Sequence, residues 1–117
     1  ELARAYFAAL GEIPGLDLPP ADFSQGNWHM FQPLLPPGTE RGRFIARMKD
    51  KGIGVGVHYP ALHLFSLYRA QGFREGDFPC AEDIGRRTVT LPLFPAMMDG
   101  DIERVCSALK ATLSESK

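Results

Sequence analysis

The densest polar chemistry in the sequence is the run His58-Tyr59-Pro60-Ala61-Leu62-His63. Two imidazoles and a phenol can donate or accept hydrogen bonds near neutral pH, and imidazole changes charge in that range. The alternating apolar residues Ile53, Val55 and Val57 stop just before them. The three side chains therefore sit where an extended segment gives way to a loop, a usual place for ligand-binding groups on a rigid scaffold. Zinc is a poor match: a helical metal pair needs histidines at i and i+4, whereas His58 and His63 are five apart with a proline between them, and no third ligand is evident. Two readings remain from the residues alone. Either the loop holds a small ligand, or His58 and Tyr59 satisfy backbone groups at the edge of a sheet.

Other candidates carry less. His29 lies in an apolar run and reads as a satisfied core histidine. Arg86-Arg87 has the forked donors that suit a carboxylate or phosphate. Neighbours in a strand face opposite sides, however, so the two read as a solvated pair. Cys106 falls on an apolar helical face and reads as a small hydrophobe; Cys80 has no histidine near it in sequence to activate it. Gly52, Gly54 and Gly56 alternate within an extended segment instead of preceding a helix, so they form no phosphate cradle. The residues assign no catalytic group, no cofactor-binding group and no metal.

The elements that must position this loop follow from periodicity. Leu2, Tyr6 and Leu10 form an i, i+4, i+8 stripe that ends at Gly11. The prolines of Ile13–Pro20 forbid its continuation. Trp28–Leu35 suits a buried strand whose far end is demoted by Pro33. Thr39 to Lys51 predicts a helix with Thr39 as N-cap and Gly52 in the left-handed position after it. Ile53–Pro60 predicts a second strand, apolar on one face and bare glycine backbone on the other, open to a close approach. Helical spacing returns over Leu62–Gln71 and Ala81–Arg86, and Thr88–Leu93 predicts a third strand. In the last helix Ile102, Val105, Cys106, Leu109 and Leu113 share one face, with acids at its start and Lys110 near its end. The expectation is a single α+β domain over residues 1–117, a mostly antiparallel or mixed three-stranded sheet packed with helices.

Composition narrows the function classes. Thirteen basic residues against 14 acidic give a net charge of -1, which offers no footprint for nucleic acid. No run approaches the roughly 20 apolar residues of a membrane span. Two well-separated cysteines do not make a disulfide framework, and a reducing cytoplasm fits them better.

Three segments in order resemble the C-terminal region of DegT/StrS nucleotide-sugar aminotransferases: Asn27-Trp28-His29-Met30-Phe31; then Lys51-Gly52-Ile53-Gly54-Val55-Gly56-Val57 running into His58–His63; then Thr90-Leu91-Pro92-Leu93-Phe94-Pro95 followed by an acidic helix start and Arg104-Val105. Arg4–Leu10 with Leu18-Pro19 also looks like the end of that family's interdomain helix, so the resemblance spans almost the whole chain. It implies residues 1–11 as the end of that helix and 12–117 as the small domain, with the cofactor-binding large domain lying outside this chain. It implies a pyridoxal-phosphate-dependent homodimer that moves an amino group from glutamate to a nucleotide-linked keto sugar, as in polysaccharide biosynthesis. None of Lys49, Lys51, Lys110 or Lys117 resembles the family's cofactor lysine, so the resemblance implies pyridoxal phosphate in the full-length protein, none bound here, and no activity from this stretch alone. His58, Tyr59 and His63 match the loop facing the interdomain cleft and are the substrate-binding expectation. The helix over residues 1–10 is expected to show an uncovered face. The alternatives are a non-catalytic small-ligand-binding module and a structural or dimerisation module.

Overall fold

A computed structural model describes residues 1–115. The firmest sequence pattern gives the central element: the apolar stripe of residues 102 to 113 becomes α5, Asp99–Glu115, which buries Ile102, Val105, Cys106, Leu109 and Leu113. The Asp101 carboxylate accepts the Met98 N–H at 2.9 Å and closes its first turn. Helices α1, Leu2–Leu10, and α2, Arg41–Asp50, both pack on α5. A 3-10 turn, Leu62–Leu64, leads into the short α3, Ser66–Arg69, and then α4, Pro79–Arg87. No helix among the described residues is long and apolar enough to cross a membrane.

Helix α1 buries Ala3, Tyr6 and Leu10. The Tyr6 ring stacks on Phe31 at 4.7 Å between centroids, and its hydroxyl donates to the Pro92 carbonyl at 2.5 Å. Burial raises the Tyr6 phenol well above its ordinary value, with the Cys106 thiol adding to the effect, so it remains a donor at all ordinary pH. Phe7, on another side of α1, meets Phe23, Trp28 and Phe31 edge-on. The chain's own aromatic residues thus cover part of this helix, while Leu2, Ala5, Phe7 and Ala9 stay half-buried. Of the exposed large apolar side chains, Tyr59, Leu62, Phe65, Leu67, Phe73, Phe78 and Ile84 belong to residues 59–84, and Phe94 and Met98 lie outside them.

The predicted three-stranded sheet is the main correction. Among the described residues there is no strand and no sheet; four isolated antiparallel bridges join Asp17 to Leu34, Phe31 to Leu91, Leu34 to Thr88 and Gly56 to Thr90. The extended segments are where apolar alternation put them, but no run of consecutive bridges forms. Residues 31–35 and 87–91 share three backbone bonds, from the N–H groups of Leu91, Val89 and Leu35 to the carbonyls of Phe31, Pro33 and Arg87, with bridges only at Phe31–Leu91 and Leu34–Thr88. Pro33 sits between the two bridged residues of its segment and has no N–H to give, Pro92 ends the partner segment, and Trp28 is in the left-handed region with φ 48°. The fold is therefore a helical layer packed on extended segments held by isolated bridges.

Smaller corrections share one cause, that local pattern does not fix neighbours. The N-cap of α2 is Glu40, one residue beyond Thr39, and its carboxylate accepts the N–H groups of Gly42 and Arg43 at 2.9 and 2.8 Å. Gly52, by contrast, takes the left-handed backbone expected of it, with φ 81°. His29 is not in the core: it is exposed, with Nδ1 3.1 Å from Asn27 Oδ1. Arg86 and Arg87 lie in helix α4 rather than before a strand, and Arg87 is far from solvated. Its guanidinium donates to the Leu35 carbonyl, to Asp83 and to Asp17. Burial works against its charge, but these partners outweigh it and raise its pKa further.

Candidate functional site

After α2 the chain extends to Gly56, which exchanges both backbone hydrogen bonds with Thr90, at 3.1 and 2.8 Å. The next side chain folds back over it. A Cβ at Gly56 would lie 2.9 Å from His58 Cε1, so the bare glycine face expected to receive a close approach receives the chain's own imidazole. His58 Nδ1 is 2.7 Å from the Thr90 hydroxyl. The Gln32 side-chain amide donates to the His58 carbonyl at 2.6 Å and lies 3.5 Å from the same hydroxyl.

The His58 carbonyl only accepts, so Gln32 must turn its NH₂ toward it, and that NH₂ also faces Thr90 Oγ1. The Thr90 hydroxyl carries one proton and two lone pairs, so it can donate to His58 Nδ1 or accept from it, and it fixes the orientation of the ring in either case. Three segments that are distant in sequence thereby hold one imidazole. Tyr59 follows across a cis peptide, edge-on to His58 at 5.0 Å and 67% exposed. Gln32 and Thr90 were not singled out as site residues from sequence; the signals for Thr90 were its place in the third extended segment and at the start of the third segment that resembles the family.

The third expected site residue is placed differently. His63 is 7% exposed and Glu82 3%. The His63 Nε2 lies 3.4 Å from Glu82 Oε1, and the Phe78 ring closes over the imidazole edge-on at 4.9 Å. The structure therefore presents His58 and Tyr59 on an open face and takes His63 inside. Two surface hollows are lined by other residues, one by Glu12, Pro36, Arg43 and Lys110, the other by Phe23, Asn27, Trp28 and Phe94.

A pyridoxal phosphate site needs a lysine for the cofactor, a carboxylate for its ring nitrogen and donors for its phosphate. Lys51 is held by both carboxylate oxygens of Glu115, at 2.9 and 3.2 Å. Lys49 and Lys110 are exposed on α2 and α5, and Lys117 lies outside the described residues. The lysines described here do not fit such a cradle. Among the described residues no three His, Cys, Asp or Glu side chains gather to hold a metal ion.

The profile of the DegT/DnrJ/EryC1/StrS aminotransferase family matches residues 1–110. The chain belongs to this family. The spore coat polysaccharide biosynthesis protein SpsC of Bacillus subtilis is 35% identical over 116 residues, which cover 94% of this chain and 30% of SpsC. Among solved structures, the aminotransferase TlmJ of Streptoalloteichus hindustanus is 28% identical with a TM-score of 0.82, over 97% of this chain and 30% of TlmJ. DesV of S. venezuelae, solved with a ketimine intermediate, is 30% identical with a TM-score of 0.81, over 95% of this chain and 30% of DesV. The chain thus spans about a third of the length of the DegT-family proteins it matches, and it shares their fold over that third.

Proposed function

We propose that the chain is the C-terminal small domain, residues 12–117 with 1–11 closing an interdomain helix, of a pyridoxal-phosphate-dependent aminotransferase. The parent enzyme moves an amino group from glutamate to a nucleotide-linked keto sugar for polysaccharide assembly, as a homodimer in the cytoplasm. The observation that carries this is the His58-Tyr59 face. An imidazole is oriented by Thr90 and Gln32, and beside it stands an exposed phenol. Directional donors on a rigid frame suit a hydroxyl-rich ligand such as a sugar. The face is open on one side, so a ligand there is enclosed only by a second wall, which the cofactor domain supplies in this reading. His63 contributes from behind. The occupied and solvent-facing lysines support placing the cofactor lysine in that other domain, and the 117-residue chain alone is expected to transfer nothing.

The test uses the full-length parent loaded with pyridoxal phosphate and glutamate, offered a panel of nucleotide-linked keto sugars, with the cofactor absorbance as readout. Amino transfer to at least one sugar is expected, and His58→Ala should raise its KM about tenfold, the worth of one directed hydrogen bond. No transfer to any sugar overturns the enzyme reading. If sugar still binds in that case, the small-ligand-binding module takes its place.

A further inference from the structure

Helix α4 sits with its pattern reversed. Its buried residues are Glu82 and Gly85, three apart and so on one side of the helix, while Ile84 is 51% exposed. A helix seated by apolar burial would turn Ile84 inward and the carboxylate outward. Something else therefore sets its seat, and two contacts do so.

At Gly85 the helix backbone lies directly on the loop: a Cβ there would stand 2.5 Å from the Ala61 nitrogen and 3.1 Å from the Pro60 carbonyl carbon. One turn earlier, Glu82 Oε1 is 3.4 Å from His63 Nε2 and accepts the Gly76 N–H at 2.7 Å. The His63 Nε2 is sealed from solvent and has no partner in hydrogen-bond geometry; its contact with Glu82 is one of ion-pair distance. A carboxylate and an imidazole buried together are costly unless they serve one another.

We propose that His63 and Glu82 are positioning residues: as a pair they clasp α4 and the 73–78 turn onto the Leu62–Leu64 turn, and so fix the backbone that presents His58 and Tyr59. The shared Oε1 couples the two sides of the clasp. Removing Glu82 frees the Gly76 N–H outright, and removing His63 leaves that bond but empties the space beside it; either change lets Ala61 move off Gly85. That His58 and Tyr59 meet a sugar rests on the functional reading above; the clasp does not.

Amide exchange and ¹H–¹⁵N spectra of the 117-residue chain test this. His63→Ala keeps the Gly76–Glu82 bond but loosens the seat around it, so the Gly76 amide should exchange about tenfold faster as the segment opens more often. It should also shift the Ala61 and Tyr59 resonances and leave the Leu109 amide in α5 protected. His63→Gln, whose amide N–H can reach the same oxygen, should restore most of the Gly76 protection. Native exchange at Gly76 with native Tyr59 shifts in His63→Ala overturns the proposal, as does His63→Gln behaving no better than His63→Ala. Should His63→Ala unfold the chain, visible as lost Leu109 protection, Glu82→Gln decides: it keeps size and acceptor but not charge, so Gly76 exchange should rise about threefold, and an unchanged rate overturns the clasp. A parent enzyme that transfers no amino group sinks the sugar reading and leaves these exchange results standing.

Discussion

The α1–α2–α5 region and the segment from Tyr59 to Arg87 are built on opposite terms. The first closes on apolar side chains: Tyr6, Leu10, Phe31, Phe44, Met48 and Leu109 have 1% exposure or less. The second leaves Tyr59, Leu62, Leu67, Phe73, Phe78 and Ile84 in solvent and buries His63 and Glu82. Apolar burial yields stability roughly in proportion to area and tolerates small shifts. Polar contacts and backbone apposition yield less net stability but demand a particular geometry. One region holds the molecule together; the other holds a loop in place.

The largest expected effect tests the first half of that contrast. Phe31→Ala removes a fully buried ring stacked on Tyr6 and should cost about 3–5 kcal/mol of global stability, measured by denaturant unfolding. Ile84→Ala should cost under about 0.5 kcal/mol. Similar values for the two would erase the distinction between the regions. Next comes Gly85→Ala, whose methyl meets Ala61 backbone. We expect about 1–3 kcal/mol of local destabilisation, seen as faster exchange between residues 61 and 86 while Leu109 keeps its protection; a uniform loss across the chain would show that the two regions unfold as one. Arg87→Ala cuts the ties from α4 to the Leu35 carbonyl and Asp17. About 1–2 kcal/mol is expected, with the melting transition broadening as the segment uncouples; a sharp single transition at lower temperature contradicts that. The mildest probe is chemical: Cys80 is exposed and Cys106 buried, and burial pushes the Cys106 thiol up, partly offset by Lys110. An alkylating reagent at neutral pH should modify Cys80 in the folded chain and reach Cys106 only in denaturant. Equal labelling of both would mean that the α5 face opens readily.

The two regions also differed in how far sequence revealed them. Helix α5 was readable because its stripe of Ile102, Val105, Leu109 and Leu113 repeats at helical spacing and apolar burial follows periodicity. The reversed α4 was readable only as a short helix over Ala81–Arg86, and no local rule turns Glu82 inward. The sheet expectation failed because alternation marks extended backbone without stating how many rungs will pair, and Pro33 and Pro92 stop the pairing early. At the site, His58 and Tyr59 were visible as residue types at an element's end. Their supports were not, since Gln32 and Thr90 lie 26 and 32 positions away from His58. Burial of His63 depends on Glu82, a residue whose type argues for solvent.

The bond from the Tyr6 hydroxyl to the Pro92 carbonyl links residues 86 positions apart. Such a contact closes nearly the whole chain into one loop, so its entropic cost falls due before its benefit. During synthesis α1 is made well before the segment around Pro92 and then α5, and until they follow it has only the aromatic residues of 23–31 to pack against. A chain cut before residue 88 should therefore give no cooperative thermal transition, however many of its helices are present, and one that melts cooperatively would show that α1 finds a seat without them.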